Sequence, residues 1–67
     1  MMRPTTHTHK FHPEELEELK EKTGLDDSEE AMKRWARHNY PIRTASYYAI
    51  GQVKTNEEGG SIEIIER

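Results

Sequence analysis

The chain contains no cysteine among its 67 residues. That removes disulfides and thiolate metal sites together, and with them two of the usual supports of a small domain. Apolar residues are scarce as well, at 31% against 34% charged. The core must be thin, because a chain this short buries only a modest share of its surface. A partner chain is the expected source of the missing burial, most simply a second copy in a homodimer. No apolar run approaches the roughly 18 residues of a membrane span, and the N-terminus lacks the apolar stretch of a secretory signal. The expectation is a soluble, cytoplasmic protein with no membrane role. There is no Gly-rich phosphate loop, no cysteine nucleophile and no Ser/His/Asp set with an evident scaffold. Neither an enzyme nor a cofactor is expected.

The net charge of −3 does not advertise nucleic-acid binding, but its distribution is uneven. Residues 1–12 carry Arg3 and Lys10 and no acid, whereas residues 13–23 carry five Glu against two Lys. Residues 24–40 hold four acids against Lys33, Arg34 and Arg37, and residues 41–67 four acids against Arg43, Lys54 and Arg67. Basic character therefore concentrates in the N-terminal arm and on the segment around Lys33–Arg37.

The organising stretch runs from Phe11 to Asn39. Pro13 suits a first helical position, where its missing N–H costs nothing, and His12 falls at the N-cap before it. Glu14 and Glu15 meet the positive end of the helix dipole, with Lys20 and Lys22 near the negative end. Leu16 and Leu19 share one face, and Gly24 supplies a C-terminal stop. This predicts a helix over Pro13–Thr23, with Leu25 packing back in a Schellman-type contact. Asp27 and Glu30 have capping-box spacing, which predicts a second helix from about Ser28 to Asn39. Its apolar stripe is Met32, Trp35 and Ala36. Tyr40-Pro41 ends it, because a residue before proline is pushed out of the helical region.

On either side the period changes. As a strand, residues 5–11 put Thr5, His7, His9 and Phe11 on one face and Thr6, Thr8 and Lys10 on the other; the alternative is a disordered arm. Residues 44–54 read as a strand with Gly51 at a bulge or close backbone approach, although Ala45, Tyr48 and Ala49 also have helical spacing. Residues 55–60 are a turn by composition, and Ser61–Glu66 a second strand, giving an antiparallel hairpin with a long loop. The fold class is α+β in one domain: an N-terminal arm or strand (1–12), a two-helix hairpin (13–40) and a C-terminal β-hairpin segment (41–67).

Phe11-His12-Pro13-Glu14-Glu15-Leu16-Glu17-Glu18-Leu19, then Thr23-Gly24-Leu25, then Glu29-Glu30-Ala31-Met32-Lys33-Arg34-Trp35-Ala36 resembles the ribbon-helix-helix family of DNA-binding regulators, which includes plasmid, phage and toxin–antitoxin repressors. The resemblance covers about half the chain. It implies a homodimer whose paired N-terminal strands enter the major groove of an operator. By position, base reading would fall to Thr6, Thr8 and Lys10, whose hydroxyl and ammonium groups suit base edges. The inward strand positions, apolar in that family, are His7 and His9 here. Asp26, Asp27, Glu29 and Glu30 crowd the start of the second helix with negative charge, which works against an anion site there.

Other residues point to protein recognition. Trp35 is the only tryptophan, a natural core anchor or interface hot spot. Tyr40, Tyr47 and Tyr48 offer an aromatic surface, and Lys33, Arg34 and Arg37 share a helical face suited to an anionic partner. Trp35, Tyr47, Tyr48, Lys33, Arg34 and Arg37 are thus the candidate partner-binding set. His7, His9 and His12 could ligate a metal, but no cysteine or carboxylate completes the site, and none is assigned. His38 complements the dipole at its helix end. Two functions follow. One is an operator-binding regulator or antitoxin; the other is a small protein-binding inhibitor with no DNA role, in which Glu14, Glu15, Glu17 and Glu18 mimic phosphates.

Overall fold

A computed structural model of the chain describes residues 5–40 and 48–66. The order of elements is β1 (Thr5–Phe11), α1 (Pro13–Thr23), α2 (Ser28–Asn39), β2 (Tyr48–Asn56) and β3 (Gly59–Glu66). The three strands form one antiparallel sheet in the order β1-β3-β2, so the first strand lies beside the last. Both helices pack on one face of this sheet, an α+β arrangement in two layers.

Each helix boundary has a local cause. Glu15 Oε1 accepts a hydrogen bond from the backbone N–H of His12 (3.0 Å), closing the first turn of α1. At the other end Gly24 takes a left-handed conformation (φ 71°) and its N–H donates to Lys20 O at 2.8 Å. That single bond is the simpler αL stop rather than the Schellman pattern expected from the sequence. Leu25 still folds back as a partly buried neighbour of the core. At the start of α2 the Asp27 carboxylate accepts from Glu29 N (2.9 Å), one residue short of capping-box geometry. Tyr40 is extended (φ −128°, ψ 143°), as its position before Pro41 requires.

The core consists of Leu16 and Leu19 from α1, Ala31, Met32 and Ala36 from α2, and Ile62 and Ile64 from β3. Met32, Ile62 and Ile64 are its largest fully buried side chains. Phe11, Trp35, Tyr40, Tyr48, Ile50 and Val53 pack around it. Ile62 and Ile64 stand opposite His9 and His7 on one side and Val53 and Ile50 on the other. The inward face of β1 is therefore the alternating set that includes His9 and Phe11, as its period predicts.

Residues 5–11 form the strand that their alternation predicts rather than the disordered alternative, and β1 pairs along its whole length with β3 of its own chain, from Thr5↔Glu66 to Phe11↔Gly60. Two expectations about the hairpin change. The hairpin loop is not long, since Asn56 pairs with Gly59 across Glu57 and Glu58 alone. Asn56 Oδ1 accepts from Glu58 N at 2.8 Å, an Asx-type turn that lets the strands run closer to the tip. The first hairpin strand accordingly ends at Asn56 rather than Lys54, and the second starts at Gly59 rather than Ser61 and ends at Glu66 as expected. The segment 41–47, including the start expected for the first of them, lies outside the described residues. The register shift between Ile50 and Val53 places a bulge at Gly51, and a Cβ there would press on Ile65 Cδ1 at 3.0 Å and Glu63 Cβ at 3.2 Å.

Gly59 is the tightest backbone position. Its φ of 124° lies where side chains are rarely tolerated, and a Cβ would overlap the carbonyl oxygen of Phe11. Gly24 has a similar φ sign but open space around it. Gly24→Ala should therefore cost roughly 1–2 kcal/mol, the ordinary left-handed penalty. Gly59→Ala should cost more than about 3 kcal/mol, because β1 must move away from β3. Urea unfolding of the two variants tests this; equal midpoints would mean that β1 does not press on the hairpin turn.

Candidate functional site

The candidate DNA-reading residues Thr6, Thr8 and Lys10 are all exposed and share the outer face of the sheet, the face the helices leave open. Across the ladder from them on β3 stand Ile65, Glu63 and Ser61. Ala49 and Lys54 continue the face on β2, opposite Ile65 and Ser61. This surface mixes small side chains with Lys10, Lys54, Glu63 and Ile65. Its charges are mixed, since Glu63 lies directly opposite Thr8. Among the described residues one long edge of β1 has no partner strand, because β1 is an outer strand.

The candidate partner-binding residues fall in two places. Tyr48 lies on the inward face, with its ring 5.3 Å from that of Tyr40, and is partly buried there rather than presented to solvent. Tyr47 lies outside the described residues. Lys33 is held by Glu30 at 3.5 Å. The remaining three come together along the outward side of α2. Arg34 and Trp35 line a groove of about 410 Å³ with Leu19, Lys22, Thr23, His38 and Asn39. Arg37 joins Arg34, His38, Glu30 and Leu25 around a second depression of the same size. A third, of about 190 Å³, is lined by Phe11, Glu15, Glu18, Leu19, Lys22 and Trp35.

Trp35 is positioned by β1 and by the end of α2. Phe11 meets it edge-on with ring centres 5.1 Å apart, and His9 meets it at 4.8 Å. His9 Nε2 and the Tyr40 hydroxyl are hydrogen-bonded at 2.6 Å, which fixes the imidazole against the indole. Edge-to-face contacts of this kind add order to simple area burial. One side of the indole is thus clamped and the other borders the groove. Asn39 Nδ2 donates to Trp35 O (2.7 Å), securing the last turn beneath the cations.

The histidines do not gather. His7 pairs with Glu66 at 3.0 Å on the exposed end of the sheet, His9 with Tyr40, and His12 is the exposed N-cap of α1. No cluster of metal-ligating side chains forms among the described residues. Glu14, Glu15, Glu17 and Glu18 are all exposed, but Glu15 caps its own helix and Glu17 is tied to Lys20 at 3.3 Å. That leaves Glu14 and Glu18 without a local bond among these four. No helix among the described residues is long and apolar enough to cross a membrane.

Sequence reasoning missed Lys22, Leu25 and Leu19 as parts of one surface with Arg34 and Trp35, and it gave His38 only a capping role. Spacing of three and four along α2 does put Arg34, Arg37 and His38 beside one another. Nothing local reveals that the end of α1 forms the opposite wall. Scans against protein-family models and searches of curated proteins and solved structures give no match to this chain.

The single tryptophan reports on this surface directly. Scaled to the quenching of free N-acetyltryptophanamide, iodide should quench Trp35 emission more than caesium does, because Lys22 and Arg34 draw anions towards the indole. The difference should shrink at high salt, where exposed charges are screened, and nearly vanish in Lys22→Glu/Arg34→Glu. Equal scaled quenching by the two ions would show that the cations do not border the ring.

Proposed function

We propose that this chain acts by binding another protein, as a small interaction module with no chemistry of its own, through the outward side of α2. The observation that carries this reading is Trp35, clamped on one side by His9 and Phe11 and bordering a groove walled by Lys22, Arg34 and His38. Tryptophan and arginine dominate binding energy at protein interfaces when they sit in a structured setting with an apolar floor. Leu19 supplies part of that floor here.

A dimeric operator-binding regulator is the second reading. It is favoured by the exposed row of Thr6, Thr8 and Lys10 and by the resemblance over Phe11–Arg37. It requires two copies to join through the free edges of β1. Because β1 is already bonded to β3, such a dimer would present the β1 pair in the middle of a six-stranded sheet. The major groove, about 12 Å wide, admits a two-stranded ribbon. Glu63 beside Thr8 would also bring a carboxylate towards phosphate. Both points weigh towards the protein partner, as does a net charge of −3.

A photo-crosslinking residue placed at Arg37, in the cells that make the chain, tests the choice. The expected result is a discrete protein adduct that disappears when Arg34→Glu is added. The reading falls if no protein adduct forms while the purified chain runs at twice its mass and binds duplex DNA in a salt-dependent manner that Lys10→Ala abolishes.

A further inference from the structure

The three depressions along the helices adjoin one another. The small one and its larger neighbour share Leu19, Lys22 and Trp35; that neighbour and the next share Arg34 and His38. Together they form an elongated surface from Phe11 to Leu25. Phe11, Leu19, Trp35 and Leu25 supply the apolar part of its lining, and charged and polar side chains supply the rest. Apolar side chains spaced along such a track suit an occupant whose own apolar groups recur at helical spacing.

The rim settles the charge of that occupant. Ion pairs among the described residues engage Lys20 and Lys33, and none engages Lys22, Arg34 or Arg37. In a chain of net charge −3, three cations without carboxylate partners thus gather around one apolar track. They are unevenly placed. The Phe11 end carries Glu15 and Glu18 with Lys22, and the Leu25 end carries Arg34, Arg37 and His38 with Glu30. A nucleic-acid backbone bears charge at every step and would meet Glu15, Glu18 and Glu30 along the way. A peptide can put its carboxylates only where the cations lie.

We infer that the partner docks an acidic amphipathic helix on this track. An apolar side chain seats against Trp35 and Leu19, and carboxylates towards the Leu25 end meet Arg34, Arg37 and His38. This rests on the protein-binding reading above and adds the chemistry and shape of the bound segment.

The test is selection from a displayed library of helical peptides of about 15 residues, long enough to hold helical structure in part, against the whole chain. Enriched sequences should carry Leu, Phe or Trp at spacings of three and four with Asp or Glu clustered towards one end. A selected peptide should shift the Trp35 indole and the amides of Lys22, Arg34 and His38 in NMR spectra. Its affinity should fall at least tenfold in Arg34→Glu/Arg37→Glu, two exposed positions whose variants keep the circular dichroism of the parent. The inference is overturned if nothing enriches, if basic or uncharged sequences enrich, if the shifts map to the outer sheet face, or if duplex DNA displaces the peptide. A protein adduct at Arg37 together with any of these would refute the acidic helix and leave protein binding standing. Loss of the adduct as well would remove both.

Discussion

The backbone ladder between β1 and β3 is the constraint on which the rest of the molecule depends. It joins the first described residue to the last and closes both helices into the span between. With that ladder in place, Ile62 and Ile64 become the centre of the sheet rather than its margin, and Met32 has a surface to press against. The core is thin, but its largest side chains, Met32, Ile62 and Ile64, belong to one buried cluster. The three ion pairs among the described residues lie at the surface, each with a carboxylate open to solvent, and contribute little by comparison.

The same ladder builds the surroundings of Trp35. β1 carries His9 and Phe11 to Trp35, and the Tyr40 hydroxyl, itself beside the indole, is hydrogen-bonded to His9. The indole is held in one orientation by its own chain, which would limit the side-chain freedom lost in the binding proposed above. The outer sheet face has no comparable feature. It is a row of small or flexible side chains around Glu63, with Gly51 and Ile65 packed flat against one another.

Much of the helical hairpin was legible in the sequence because its signals are local. Pro13, Gly24, Asp27 and Tyr40-Pro41 each act within a turn of where they stand, and Leu16 and Leu19 declare one face. The alternation in residues 5–11 correctly separated His9 and Phe11 from Thr8 and Lys10. It could not reveal which strand lies alongside, because a period of two fixes faces and says nothing about neighbours. Gly59 and Gly60 misled for a related reason. They read as turn residues, yet both are strand residues kept small by distant groups, Phe11 O for the one and the end of Met32 for the other. The groove was hidden in the same way, since Lys22 and Arg34 become neighbours only through the packing of α1 on α2.

The register that sets Thr5 against Glu66 has a practical side. The described strands begin and end side by side, on two adjacent threads of one sheet. A unit built like this enters and leaves at a single point, so it can be spliced into a surface loop of a larger host, or strung in tandem, without stretching either junction.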